Sequence, residues 1–233
     1  FAASAAFRTG SFDTVSADLD LNAPLIADRL LFRITTDVSE AQSYIAAIDS
    51  QSWSDNPALT WIVGPNTRAT VRGQFSRLEQ LEYAGLPAAL AFNPALGGDP
   101  FGFTGARNAP PTTIENTLWT ARFDHQFSDE LALNVAVRRY DSRFEEFSTT
   151  PFLFLPQPGP TQYQFAFAIL PTDVDQTFAT ASLLWETGGG AVRHRVLIGV
   201  DVDRTDYFAQ LGFAPLGPLD YRTQQNVAYV RPA

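Results

Sequence analysis

The 233 residues contain no cysteine, no methionine and no lysine. The first absence excludes disulfides and thiolate metal sites. The last excludes a phosphate-cradling GxxxxGK loop, a Schiff-base lysine and a lysine-rich nucleic-acid patch. Histidine is scarce too: His125 and His194 stand far apart, and neither belongs to an HExxH pattern. No uncharged apolar run approaches the roughly 18 residues of a membrane-spanning helix. A formal net charge of -9 leaves little for counterion release, so no nucleic-acid partner is expected. No basic-then-apolar leader opens at Phe1, and a signal peptide is expected to have been removed or to lie outside the chain.

What is present points to strands. Hydrophobic residues make up 45% of the chain, and phenylalanine alone accounts for 19 positions, ample material for apolar faces. Period-2 alternation recurs along its length. Leu30, Phe32 and Ile34 alternate with Leu31, Arg33 and Thr35; Trp119, Ala121 and Phe123 alternate with Thr120, Arg122 and Asp124. Leu133, Val135 and Val137 oppose Asn134 and Arg138, and Val196, Ile198, Val200 and Val202 oppose Arg195, Asp201 and Asp203. With weaker runs at 15–21, 59–63, 69–77, 178–185 and 226–231, the pattern predicts about eight or nine strands of about ten residues.

The connections narrow the architecture. Short, turn-rich segments at Asn22–Asp28, Gly64–Arg68, Ser128–Glu130 and Thr187–Ala191 alternate with long ones at Glu40–Pro57, Tyr83–Thr113, Glu145–Thr172 and Phe208–Gln224. In an up-and-down meander, every long loop then falls at one end, as in an outer-membrane barrel. The expected fold is all-β: a partial antiparallel up-and-down transmembrane β-barrel. Its apolar faces point to outer-membrane lipid and its polar faces to the lumen, with Trp61, Trp119, Phe127, Tyr140 and Trp185 as interfacial aromatics. The proline-rich run Pro151–Pro160 reads as a stiffened loop. Two other readings fit the strands: a porin-like channel, which calls for a strongly charged constriction loop, and a soluble β-sandwich binding module, which calls for loops of similar length at both ends.

Catalytic chemistry finds no footing. There is no GxSxG serine, and Glu145 and Glu146 are adjacent, so on a strand they face opposite ways. Asp201, Asp203 and Asp206 form the densest acidic group, which suits either a hard cation or a row of carboxylates paired with Arg195 or Arg204. Gly188–Gly190 reads as a hairpin turn. The chain is read as no enzyme, with no catalytic residue, no metal ligand and no cofactor.

Seven stretches, in order along nearly the whole chain, resemble TonB-dependent siderophore receptors. They are Gly10-Ser11-Phe12-Asp13-Thr14; Asp18-Leu19-Asp20-Leu21-Asn22-Ala23-Pro24-Leu25; Arg33-Ile34-Thr35; Ala58-Leu59-Thr60-Trp61; Phe123-Asp124-His125-Gln126-Phe127-Ser128-Asp129; His194 through Asp201; and Gln225 through Val230. Two of them depart from the family pattern: Ile62-Val63-Gly64-Pro65 replaces the usual Arg-Pro after Trp61, and Arg231-Pro232-Ala233 replaces the end of the last motif. The resemblance implies that residues 1–233 are one partial barrel domain of about eight or nine strands from a larger barrel in the bacterial outer membrane. It implies a plug domain, a TonB-contacting N-terminal region and C-terminal strands outside this stretch, and ferric siderophore as the transported ligand. Tyr83-Ala84-Gly85-Leu86-Pro87 is similar to a Tyr-Gly-Trp-Leu-Pro setting in ferrichrome-type members, keeping the tyrosine and losing the tryptophan. Tyr83 is therefore the first candidate ligand contact, followed by Arg107 as an attractor of an anionic chelate, and by Tyr207 and Phe208.

Overall fold

The computed structural model describes residues 1–153, 155–189 and 192–232. A single antiparallel sheet holds β1 (Ala2–Thr9), β2 (Val15–Ile26), β3 (Leu30–Gln42), β4 (Asp49–Gly64), β5 (Thr67–Gln80), β6 (Thr112–Ser128), β7 (Leu131–Pro151), β8 (Gln162–Gly189), β9 (Val192–Ala209) and β10 (Gly212–Asp220). Each strand from β1 to β8 pairs with the next. β9 and β10 share one edge of β8: Ala209 pairs Thr172, and Gly212 pairs Ile169. The Gln210 amide bonds Pro171 between them at 3.0 Å, so β10 is the prolongation of β9 past a two-residue break. The sheet is a meander of nine positions.

The expected short turns form one end. β2 to β3, β4 to β5 and β6 to β7 are joined by residues 27–29, 65–66 and 129–130, and a bulge stands beside each, at Pro24/Ile26, Ile62/Gly64 and Gln126/Ser128. Such bulges add twist where the chain must reverse. The glycine turn joining β8 to β9 passes through Gly190 and Ala191, which lie outside the described residues, as does Phe154 of the proline-rich run.

At the opposite end the expected loops are too long in three of four cases. Only residues 81–111 form a long connection; residues 43–48 and 152–161 are all that separates β3 from β4 and β7 from β8. Residues 208–224 are mostly strand, ending in a 3-10 turn at Tyr221–Thr223. Prolines at 57, 151, 171 and 215 break the alternation in sequence, yet each sits within a ladder held by its neighbours. The Gly10–Thr14 turn lies at this end too, because β1 precedes the first expected strand. Asn226–Arg231, expected as a strand, is not one; it makes an isolated bridge from Asn226 to Gly105.

Register settles the faces. Ladder partners share a face, and Phe123 pairs Val135, Val135 pairs Ala181, and Ala181 pairs Val200. Val137, Val196 and Ile198 fall on that same face by two-residue steps. Arg33, Arg122, Asp124, Arg138, Asp201 and Asp203 all fall on the other, as the alternation predicts. Tyr140 is the exception among the aromatics: it lies on the polar face, and its hydroxyl donates to Asn116 Oδ1 at 2.7 Å.

The apolar face carries its own record of strand tilt. Moving away from the short turns, its first charged residues are Arg204 on β9, Arg139 on β7, Glu115 on β6, Arg77 on β5 and Glu40 on β3, with Asp55 on β4 one rung early. From Arg204 on β9, which shares a rung with Arg139, to Glu40 on β3 the boundary climbs six residues, about 20 Å, across six strand spacings, about 29 Å. A flat hydrocarbon boundary crossing the sheet at that slope means strands tilted by about 35°, the inclination of transmembrane barrels.

Candidate functional site

The well-packed part of the molecule is a cap at the loop end of β7, β8 and β10. Its core is Leu90, Tyr163, Phe165, Leu219 and Tyr221, with Leu86, Leu216 and Val227 against it. Leu90 belongs to α1 (Ala88–Ala91), a single helical turn within the 81–111 loop. The chain after β10 pins that loop down. The Gly105 amide donates to the Gln225 carbonyl and the Val227 amide to the Gly105 carbonyl, both at 3.0 Å. The Arg107 amide donates to Asn226 Oδ1, the Tyr229 amide to Asn108 Oδ1, and Gln224 Nε2 to Asp99 Oδ2. Gly105 has φ of 146°, and a Cβ there would stand 2.8 Å from Thr149 Oγ1, so only glycine lets the loop lie this close to β7.

Two of the four candidate residues meet in this cap. Tyr83 stacks on Phe103 with ring centroids 4.7 Å apart, and the Arg107 guanidinium lies 6.0 Å from the same ring's centre. Phe103 is 1% exposed and organises both, although no sequence reading singled it out. The signal was the run Pro100-Phe101-Gly102-Phe103-Thr104-Gly105, where glycines space aromatics inside a loop. Burial pushes the Tyr83 phenol above its usual range, opposed by the Thr104 backbone hydrogen bond. Burial also raises the Glu82 carboxyl, with Glu146 adding to the effect. Tyr221, under the cap, donates to the Gly85 carbonyl, and burial drives its phenol upward as well. The Arg222 guanidinium holds Asp220 down at about 2.

Tyr207 and Phe208 stand elsewhere. They lie within β9 rather than beyond it, on opposite faces of the strand and more than half exposed. The acidic group divides likewise. Asp206 pairs with Arg204 on the apolar face's charged border, whereas Asp203 accepts from Gln176 on the polar face. Arg195 pairs with Glu186 instead. No cluster of three metal-ligating side chains occurs among the described residues.

A second aromatic group joins three connections. Phe12, from the Gly10–Thr14 turn, meets Tyr44 edge-on at 6.4 Å, and Tyr44 meets Phe101 edge-on at 6.3 Å. The Ala46 amide donates to the Phe101 carbonyl at 2.9 Å, which fixes the contact between the 43–48 and 81–111 loops. All three rings are more than half exposed, so flat apolar surface is held at the loop end by backbone bonds. The arrangement suits stacking against a planar ligand with polar edges.

No protein-family model matches the chain. The fold is that of the barrel wall of outer-membrane siderophore receptors. Against the pyoverdine outer membrane receptor FpvA of Pseudomonas aeruginosa PAO1 bound to pyoverdine, the TM-score is 0.80 at 12% identity, covering 100% of this chain and 35% of that one. The open form of Fiu, the ferric-catecholate import receptor of E. coli K12, gives 0.76 at 16% identity over 99% and 38%. By sequence, the chain is 22% identical over 197 residues to the metal-pseudopaline receptor CntO of Pseudomonas aeruginosa, covering 84% of this chain and 27% of that receptor. These relatives are receptors, not enzymes, and the chain spans between a quarter and two fifths of their lengths.

Proposed function

We propose that this chain is a wall segment of a bacterial outer-membrane receptor that takes up ferric or other metal–siderophore complexes, energised by TonB through a region outside these residues. The observation that carries the proposal is the tilted boundary on the apolar face: a row of exposed valines, leucines and alanines ending in charge along one slanted line is a wall built for lipid. Both sheet edges are open, since no ladder among the described residues joins β1 to β9 or β10. Unpaired backbone cannot remain in hydrocarbon, so further strands complete the barrel. The soluble sandwich loses support because no second sheet covers the apolar face among the described residues.

The cargo meets the loop end. Tyr83 and Arg107 around Phe103, with Phe12, Tyr44 and Phe101 beside them, offer aromatic faces and a cation to an anionic chelate, and the metal arrives as part of that cargo. Tyr207 and Phe208 lie apart from this group, on opposite faces of β9. The test is titration of the full-length receptor in detergent with hydroxamate, catecholate and pyoverdine-type ferric complexes, following tryptophan quenching. One class is expected to saturate, and Phe101→Ala or Tyr83→Ala to weaken it by about 2- to 10-fold, the worth of one aromatic contact. Failure of every class to quench saturably would overturn the receptor reading.

A further inference from the structure

Arginine pairing divides the polar face in two. Arg8 pairs Asp18, Arg33 pairs Asp20, and Arg195 pairs Glu186. On β5, β6 and β7 the pattern stops. Arg68, Arg72 and Arg138 are exposed and have no ion-pair partner among the described residues, and the one carboxylate near them, Asp124, is held by Arg122 through both oxygens at 2.9 Å.

The ladder brings these four guanidinium groups together. Arg72 faces Thr120, which faces Arg138; one rung nearer the short turns, Thr70 faces Arg122, which faces Ala136; below that, Arg68 faces Asp124. Arg122 is thus the diagonal neighbour of Arg68, Arg72 and Arg138, each roughly 7–8 Å away across the ladder. The adjoining stretches of polar face carry no charge: Ala58, Thr60 and Ile62 on β4, and Phe178, Thr180 and Ser182 on β8. Asp203, facing Phe178, is engaged by Gln176. Four arginines against one carboxylate make a local excess of positive charge in a chain whose net charge is -9. Like charges at ladder spacing destabilise a sheet unless something neutralises them.

We propose that Arg68, Arg72, Arg122 and Arg138 form a carboxylate-binding patch on the lumen wall. Guanidinium forks match carboxylate geometry two bonds at a time, and the surrounding threonines and Asn134 supply neutral hydrogen-bonding groups. The carboxylates come either from a free polycarboxylate or from aspartate and glutamate side chains of a polypeptide segment seated in the lumen. The patch rests on the barrel reading of the wall, but not on what the loops bind.

The experiment uses the full-length receptor in detergent at low ionic strength, with citrate as the probe, and compares the parent with Arg72→Gln/Arg138→Gln and Arg72→Lys/Arg138→Lys. Heat-modifiable gel mobility checks that each barrel has folded. Saturable citrate binding that weakens at least tenfold in the glutamine variant, and less in the lysine one, assigns the patch to a free polycarboxylate. No citrate binding to the parent, with faster amide exchange of a lumen segment in the glutamine variant only, assigns it to acidic side chains. Folded variants that match the parent in both citrate response and exchange would overturn the proposal. Ferric-complex quenching, read in parallel, separates that failure from failure of the receptor reading.

Discussion

One strand, β8, passes through two regions that treat apolar side chains in opposite ways. Near the loops, Phe165, Phe167 and Ile169 are 3%, 4% and 6% exposed, shut under the cap. Near the short turn, Trp185 of β8 is 46% exposed, and its ladder neighbours on β9, Val196, Ile198 and Val200, are 40%, 66% and 61% exposed. The upper region finishes its own core with residues 81–111 and 221–229, as a water-soluble domain does. The lower region leaves its apolar face uncovered, which suits it to an apolar solvent. The lesson is that exposure marks an error in one medium and a design in another, and the slanted row of charges shows where the medium changes.

The contrast sets the size of what substitutions do. Tyr221→Ala, in the cap core, is expected to cost about 3–5 kcal/mol of local stability, the range for emptying a large aromatic site. It should speed amide exchange across residues 81–111 while leaving gel mobility of the barrel unchanged. Val135→Arg, mid-band on the apolar face, should cost about 2–4 kcal/mol in lipid refolding. Ser182→Arg, on the lumen side of the neighbouring strand and diagonal to Asp201, should cost little. Equal costs at the two positions would break the comparison.

Smaller effects separate the regions further. Asp220 is held at about 2, below the ordinary aspartate value of about 3.9, because the Arg222 bond favours its charged form. That contribution is complete above pH 4 and disappears as the pH falls through 2, so cap exchange should accelerate over that window. Asp220→Asn should flatten the dependence, and the lower wall should not share it. Arg143→Gln is expected to change refolding stability by nothing resolvable, since its pair with Asp173 is more than half exposed on both sides and screened by solvent.

Much of the wall was legible because a half-buried strand writes its two faces into alternate residues. Val135 and Val137 against Asn134 and Arg138 needed no partner to be read. The upper part of β4 was not legible because residues 49–56 are polar on both faces apart from Trp53, and the upper parts of β7 and β8 were not legible for the opposite reason. Around Phe147, Ser148 and Thr149 both faces are buried under the cap, and alternation vanishes when neither side meets solvent. Prolines there look like loop signals, but the ladder tolerates them where neighbours hold the strand. Tyr140 was misplaced as an interfacial aromatic because its amphipathic ring suits either face; only its rung, opposite Leu118 and Gln176, decides. In the site, Tyr83 was found through a local motif, whereas Phe103 and the Phe12, Tyr44 and Phe101 group arise from loops distant in sequence, whose meeting no spacing encodes.

The central claim is that alternate residues of one sheet face lipid, and because these 233 residues contain no cysteine, single labels can be placed anywhere along the wall once any cysteine elsewhere in the receptor is replaced. Single cysteines placed from 131 to 138 on β7 and from 196 to 203 on β9 would carry a fluorophore in the refolded full-length receptor, in vesicles with brominated acyl chains. Quenching is predicted at Leu133, Val135, Val137, Ile198, Val200 and Val202, and not at Asn134, Ala136, Arg138, Gly199, Asp201 or Asp203. Uniform quenching, or a period of two with the faces exchanged, would contradict the account.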